Sequence, residues 1–264
     1  VLEVQHHWAH AASVLVENGV QGRVIALVCD GTGYGTDGAI WGCECMLASL
    51  EGFERLGHLA YFDLVGGDRA SKEAIRPAIS LLKHAYGEDF ELSRFAAVLG
   101  RIEPELARQR TICGQIAKRL NTVATSSLGR VFDAVAALAG LGSYNHFDAQ
   151  LPMALEAVVE AGAEERYCFE LRRGADECEE LCLGPMVRGL VEDIESGVAP
   201  GVVSAKFHNC LAAALAEMVH SARRRSGLNR VALSGGVFCN KYLADRIISL
   251  LQGSGFEVLF NRVV

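Results

Sequence analysis

The sequence contains two units in which an apolar β-strand pattern is followed directly by a glycine turn. These units restrict the folds that the chain can adopt. The first is VIALVCD at 24–30, which is followed by the long turn GTGYGTDG. The second is RVALSGG at 230–236, which leads into a segment with helical spacing of its apolar residues. Strands that end on glycine turns are typical of α/β folds, in which ligands bind at the carboxyl ends of the strands. The sequence therefore predicts an α/β architecture with ligand sites at these two turns.

The segments around the first unit predict its neighbours. Residues 5–18 have helical spacing and stop at Gly19. AIWGCECMLASL and GFERLGHLAYF are interpreted as two further strands, joined near Glu51 and Gly52. With 24–30, these strands suggest a three-stranded meander at the edge of a mixed sheet.

The remaining chain is mainly helical in pattern. Four stretches from about Ser71 onward carry apolar residues at helical spacing: EAIRPAISLLKHAY, ELSRFAAVLG, ICGQIAKRLNTVA and VFDAVAALAGLG. Short pieces such as RYCFELRR, between about 165 and 200, indicate a small strand-containing insertion. FHNCLAAALAEMVHSARRR predicts a long amphipathic helix, and the second glycine turn is followed by a helix, CNKYLADRIISLLQGSG, and a last strand, EVLF.

Composition excludes several classes of function. The net charge of −7 gives no overall electrostatic attraction to nucleic acid. No apolar run is long enough to span a bilayer. We therefore expect neither a nucleic-acid partner nor a membrane partner. The nine cysteines contain no Cys-x-x-Cys pair and are odd in number. This pattern favours free thiols in a reducing cytoplasm over a disulfide scaffold.

A histidine pair and an aspartate are the candidate metal ligands. His6 and His10 lie four residues apart on the first predicted helix, so both imidazoles project from one face and can reach a single ion. The alternative is a surface helix that simply carries histidines. Asp30 ends a buried strand, where a carboxylate needs a metal or a hydrogen-bond network. Two imidazoles and a carboxylate suit zinc or iron about equally.

The two glycine turns are candidate phosphate sites. Glycines let consecutive backbone N–H groups approach an oxyanion, although a plain turn remains the alternative at both places. Neither turn matches the Walker or the dinucleotide-binding pattern. Asp133 is a lone carboxylate in an apolar helix, where it either faces solvent or accepts from a ribose hydroxyl. No nucleophile elbow or paired cysteine nucleophile is present, so no catalytic residue is assigned.

The motifs together resemble one family. The chain is similar to the hydrogenase maturation carbamoyltransferases of the HypF type, in the region related to the tRNA threonylcarbamoyl-transfer proteins and the antibiotic O-carbamoyltransferases. The segments that carry the resemblance run in family order through nearly the whole chain. They are VQHHWAHAAS, VIALVCDGTGYGTDGAIWG, GFERLGHL, GGDRASKEAIR, TSSLGRVFDAVAALAGL, FHNCLA and LSGGVFCN. VQHHWAH and LSGGVFCN are the most specific of them.

The resemblance implies an actin-like, ribonuclease-H-like ATP-binding lobe with helical insertions. It implies that His6, His10 and Asp30 hold a metal that contacts nucleotide phosphates, with Mg²⁺ accompanying ATP as a further possibility. The implied nucleotide contacts are Gly31, Thr32, Gly33, Asp133, Asp148, Gly235, Gly236 and Asn240. The implied reaction transfers a carbamoyl group from carbamoyl-adenylate, made from carbamoyl phosphate and ATP, to the C-terminal cysteine of the partner HypE.

The resemblance also implies that the chain is a piece of a larger multidomain protein. Four parts are expected: a histidine helix with the first glycine-turn unit (1–66), a helical part (67–160), the insertion (161–205) and the second glycine-turn unit (206–264). The first lobe is expected before Val1, and a further acidic metal ligand after Val264. Two alternatives stay open, an O-carbamoyltransferase that acts on a small-molecule hydroxyl and a nucleotide-binding module that docks a partner.

Overall fold

The computed structural model describes residues 3–174 and 177–261. Within them, nine strands form one sheet. The strands are β1 (Val24–Tyr34), β2 (Ile40–Ala48), β3 (Phe53–Leu59), β4 (Phe62–Val65), β5 (Thr122–Thr125), β6 (Glu170–Arg173), β7 (Glu179–Cys182), β8 (Arg230–Ser234) and β9 (Glu257–Phe260).

Ten α-helices accompany the sheet in the same residues. They are α1 (His6–Glu17), α2 (Arg69–Lys72), α3 (Ile75–Tyr86), α4 (Ala96–Ile102), α5 (Leu106–Ala117), α6 (Leu128–Leu138), α7 (Gln150–Ala157), α8 (Gly184–Glu195), α9 (Pro200–Ser226) and α10 (Lys241–Gly253). None of them combines the length and the apolarity that crossing a bilayer requires. The expected α/β class is what the structure has.

The predicted meander forms, but its predicted position is wrong. Strands β1, β2 and β3 pair in antiparallel order, as expected. The main path of the sheet is β6-β7-β3-β2-β1-β8-β9, which places the meander in the centre instead of at an edge. The reason lies in β1, whose residues 24–29 are all buried. A strand that is buried on both faces is typical of the interior of a sheet covered by a layer on each face, and β1 has β2 on one side and β8 on the other.

The sheet separates two apolar clusters. Because side chains alternate along a strand, Val24, Ala26 and Val28 of β1 point to the face that α1 covers. Ile25, Leu27 and Cys29 point to the opposite face. There they join the larger core, which contains apolar residues of α3, α6, α8, α9 and α10. Thus α1 covers one face of the sheet while the larger core fills the other.

One stretch differs from the sequence-based expectation, and a second has the expected strands, which the structure places in the main sheet. ICGQIAKRLNTVA is helical only to Ala117, and β5 begins at Thr122 after Arg119 and Asn121 adopt positive φ. Two left-handed residues end a helix, and the β-branched Thr122 and its neighbours then extend the sheet. The expected insertion at 161–205 contains β6 and β7, and β7 pairs with β3, so this segment extends the same sheet.

Candidate metal and nucleotide site

The start of α1 is anchored so that one face looks toward the end of β1. The N-cap Gln5 accepts a hydrogen bond from the backbone N–H of Trp8 through its side-chain oxygen (2.8 Å). The indole N–H of Trp8 donates to the carbonyl of Ser49 (2.7 Å), which ties the helix to the end of β2. Because Ala11 and Leu15 face the sheet, the imidazoles of the helix are held beside the first glycine turn.

The three predicted metal ligands meet at one point. The Nε2 atoms of His6 and His10 each lie 3.1 Å from Oδ2 of Asp30, and one potential ligand atom from each residue lies within 4.8 Å of the others. Burial raises the pKa of Asp30, but hydrogen bonds from His10, His6 and the N–H of Gly31 together hold it well below its usual range. The carboxylate is therefore ionised, as a metal ligand must be.

Ser234 orients the ring of His10, and this residue was missed in the sequence. Its Oγ donates to Oδ1 of Asn261 (2.9 Å) and lies 3.3 Å from Nδ1 of His10. Because the Ser234 hydrogen is used on Asn261, Oγ is free to accept from Nδ1 of His10. This contact holds the ring so that Nε2 faces Asp30, which is the orientation that a metal ligand at Nε2 needs.

Beside these residues opens a cavity of about 730 Å³, a size typical of small-ligand sites. His6 and Asp30 form one part of its wall. Of the predicted nucleotide contacts, the structure places five on the wall: Gly31, Thr32, Asp148, Gly236 and Asn240. Glu156 also lines the cavity, and its Oε1 accepts from the backbone N–H of Tyr242 (3.1 Å). Sequence reasoning missed Glu156 because no motif marks this carboxylate near the end of α7.

Gly33 and Gly235, two further predicted nucleotide contacts, are not among the residues that line this cavity. A Cβ on Gly33 would lie 2.7 Å from the His7 ring and 2.8 Å from the His6 ring, so Gly33 makes room for the histidines. A Cβ on Gly235 would lie 2.2 Å from the carbonyl oxygen of Cys29, and Gly235 has a φ of +100°. Gly235 therefore allows β8 to approach β1, and its neighbour Gly236 faces the cavity.

Asp133, another predicted nucleotide contact, is fully buried and is not among the residues that line the cavity. Its Oδ1 accepts from Nδ2 of Asn145 (2.8 Å), and its Oδ2 lies 2.7 Å from Nε of Arg130. Burial raises the pKa of Asp133, while the nearby Arg130 guanidinium acts to lower it. The same Asn145 donates to the carbonyl of Ser71 (2.9 Å) and accepts from the N–H of Leu151 (2.8 Å). In this structure Asp133 thus supports the wall from below.

The N-terminus of α6 abuts the first glycine turn. The N-cap Ser127 accepts from the N–H of Arg130 (3.2 Å) and donates to the carbonyl of Gly31. A Cβ on Gly129 would lie 3.0 Å from Cα of Gly31, so only glycine permits this approach without a shift. The TSSLGR stretch therefore joins the helix to the strand end that carries Asp30. Its helix-capping pattern was the available signal.

His208 fixes the amide of Asn240. Nδ1 of His208 donates to the carbonyl of Ser204 (2.8 Å), so its Nε2 is an acceptor and receives a hydrogen bond from Nδ2 of Asn240 (2.9 Å). The Oδ1 of Asn240 accepts from the N–H of Leu243 (2.9 Å) and caps α10. The orientation of Asn240 on the cavity wall is therefore determined from two sides.

This arrangement predicts a pH-dependent stability. Burial lowers the pKa of His208 from 6.5 to about 4, although a hydrogen bond to the Ser204 backbone opposes the shift. Between these values the unfolded chain binds more protons than the folded chain. Neutral His208 therefore makes its full contribution to the free energy of unfolding above pH 6.5. This contribution is lost as the pH falls through about 4, and the total loss is up to about 3 kcal/mol. Urea unfolding should show that the free energy of unfolding drops less between pH 7 and pH 4.5 in His208→Gln than in the parent. Equal losses would contradict the prediction.

Similarity to known proteins extends over nearly the whole chain. Residues 26–264 match the family described as carbamoyltransferase, Kae1-like domain, second subdomain. The chain is 31% identical to carbamoyltransferase HypF of Synechocystis sp. and 34% identical to a HypF homolog of Cupriavidus necator. These matches cover 98% and 99% of this chain but 34% and 66% of the relatives. The chain thus spans only part of the length of these relatives.

Solved structures agree with the sequence matches. A crystal structure of full-length HypF in the phosphate- and nucleotide-bound form superposes with a TM-score of 0.91 at 37% identity, covering 98% of this chain and 33% of that one. HypF of T. kodakarensis superposes with a TM-score of 0.84 at 31% identity, covering 98% of this chain and 34% of that one. Both findings confirm the fold class and the resemblance that the motifs indicated. The chain belongs to the HypF carbamoyltransferase family.

Proposed function

We propose that the protein containing this chain is a carbamoyltransferase of nickel–iron hydrogenase maturation in the cytoplasm. It transfers a carbamoyl group from carbamoyl-adenylate, made from carbamoyl phosphate and ATP, to the C-terminal cysteine thiol of HypE. The observation that supports this proposal most is the meeting of His6, His10 and Asp30 at the wall of a cavity large enough for a nucleotide. Membership of the HypF family supports the type of reaction.

The proposed cofactor is zinc or iron, held by Nε2 of His6 and His10 and by a carboxylate oxygen of Asp30. When bound, the ion supplies positive charge to the phosphate of the adenylate. The Gly31–Thr32 segment lines the cavity and would contact the phosphate oxygens there. A Cβ on Gly236 would lie 3.2 Å from Oδ1 of Asp30, so its absence keeps the space beside the carboxylate open.

The proposed transfer conserves all atoms. The sulfur of the acceptor thiolate forms a bond to the carbamoyl carbon, the bond from that carbon to the phosphate oxygen breaks, and AMP leaves with the electron pair. The proton of the thiol passes to solvent. Because the adenylate is a mixed anhydride, water must be kept from the carbon during the reaction. The wall formed by α6, α7 and the two glycine turns would hold the adenylate in position for attack.

An acceptor exchange tests the proposal. The full-length protein, supplied with carbamoyl phosphate and ATP, should carbamoylate a HypE tail that ends in cysteine, as detected by mass spectrometry. The matched control is the same tail ending in serine, which should stay unmodified. Transfer to serine would favour an O-carbamoyltransferase instead. Nucleotide binding without transfer to either tail would indicate a module that docks a partner.

A further inference from the structure

Arg130 lies in the first turn of α6 and lines the cavity with a side chain that is only 11% exposed. Its Nε lies 2.7 Å from Oδ2 of the fully buried Asp133. Among the residues that the structure describes, none hydrogen-bonds to its two terminal nitrogens. One edge of this guanidinium therefore forms an ion pair with a carboxylate, while the donors of the other edge face the cavity without a partner among the described residues.

The charges around the cavity make this donor pair unusual. Four carboxylates line the cavity, those of Asp30, Asp68, Asp148 and Glu156. Of the lining residues that the structure describes, Arg130 alone is a lysine or an arginine. An anionic ligand entering this space would be repelled by the acidic wall unless positive charge faced it. Arg130 is placed to provide that charge.

Arg130 lies next to the part of the cavity wall, at Gly31, that is proposed to contact phosphate. Its backbone N–H is bonded to Ser127, whose hydroxyl donates to the carbonyl of Gly31. The preceding Gly129 approaches Gly31 so closely that a Cβ would lie 3.0 Å from it. Arg130 thus follows directly on the contact between α6 and the glycine turn that carries the candidate metal ligand Asp30. A planar guanidinium binds two oxygens of a phosphate at once, which an ammonium does not.

We propose that Arg130 binds a phosphate group of the nucleotide through its two terminal nitrogens and that Asp133 positions it for this contact. The inference rests on the proposed function, since it assumes a nucleoside phosphate in this cavity. Arg130 is then a substrate-binding residue. Asp133 is a positioning residue that acts through Arg130 and has no contact of its own with the ribose.

Paired ligands with and without phosphate test the inference. AMP and adenosine binding to the full-length protein are measured by calorimetry for the parent, Arg130→Gln and Arg130→Lys. Arg130→Gln should weaken AMP binding by about 10-fold or more and leave adenosine binding unchanged. Arg130→Lys, which keeps the charge but loses the planar fork, should lie between them. Arg224→Gln, on the exposed end of α9, should match the parent for both ligands.

The outcomes separate the possible failures. If Arg130→Gln weakens AMP and adenosine equally, Arg130 only shapes the wall, and if AMP binding is unchanged, the phosphate contact is wrong. Asp133→Asn should weaken AMP binding without affecting adenosine. A loss of adenosine binding in that variant would instead show direct recognition of the ribose by Asp133. If the parent protein binds neither ligand, the proposed function of the cavity fails, whatever the variants do.

Discussion

Carbamoyl transfer by the full-length protein is expected to fall by about 100-fold or more when His10 is replaced by alanine. Loss of a residue that only orients a metal ligand costs about 10- to 100-fold in affinity or activity, so loss of a ligand should cost at least as much. His10 lies 3.1 Å from Asp30 and is oriented by Ser234, so alanine removes one of three converging donors. The measurement is the initial rate of carbamoylation of the cysteine-ended HypE tail.

A matched histidine and the metal content complete this experiment. His220→Gln changes a histidine of α9 that packs near Phe256, outside the candidate site, and should leave the rate unchanged. Metal analysis by mass spectrometry should find one zinc or iron fewer per chain in His10→Ala than in the parent. A His10→Ala protein with parental rate and parental metal content would refute the metal site.

Replacing Gly235 by valine is expected to lower the free energy of unfolding by about 4 kcal/mol or more. The backbone at Gly235 has φ +100° and ψ 155°, a region that is essentially limited to glycine. In addition, the first carbon of any side chain would lie 2.2 Å from the carbonyl oxygen of Cys29. Either β8 must move away from β1 or the chain fails to fold. Thermal and urea unfolding, with the soluble yield, measure the effect.

Two other glycines serve as controls for this result. Gly114 lies inside α5, and a Cβ added there would meet no neighbouring atom within 4 Å, so Gly114→Ala should raise stability by up to about 1 kcal/mol. Gly236→Ala, whose Cβ would meet Asp30 at 3.2 Å, should keep the fold while weakening nucleotide binding. Near-parental stability of Gly235→Val would contradict the close approach of β8 to β1.

Local patterns were enough to predict the two parts of the candidate metal site, the histidine pair His6 and His10 and the strand-end carboxylate of Asp30. Spacing of four residues sets two histidines on one helical face, and an apolar strand that ends in Asp30 sets the carboxylate at a sheet edge. The packing of α1 across β1 follows from the apolar residues of both elements. The family motifs added the expectation that these two elements share one site.

Contacts between distant segments were beyond the sequence patterns. No local sequence pattern indicates that β8 pairs with β1 and that β7 pairs with β3. The central position of the meander could therefore not be predicted. In the same way, the glycine pattern does not distinguish Gly235, which packs against Cys29, from Gly236, which faces the cavity. Asp133 has the same neighbours in sequence whether it faces a ligand or Arg130, and only the tertiary packing decides.

The division of the interior into two clusters has a thermodynamic consequence for the candidate site. Among the described residues, α1 provides the only helical side chains of the smaller cluster, so α1 could detach while the larger core on the other face of the sheet stays packed. A cation held jointly by His6, His10 and Asp30 would couple the docking of α1 to the concentration of free ion, because a ligand that binds only the docked form stabilises it. Ion availability would then set how often the histidine helix detaches by subglobal opening.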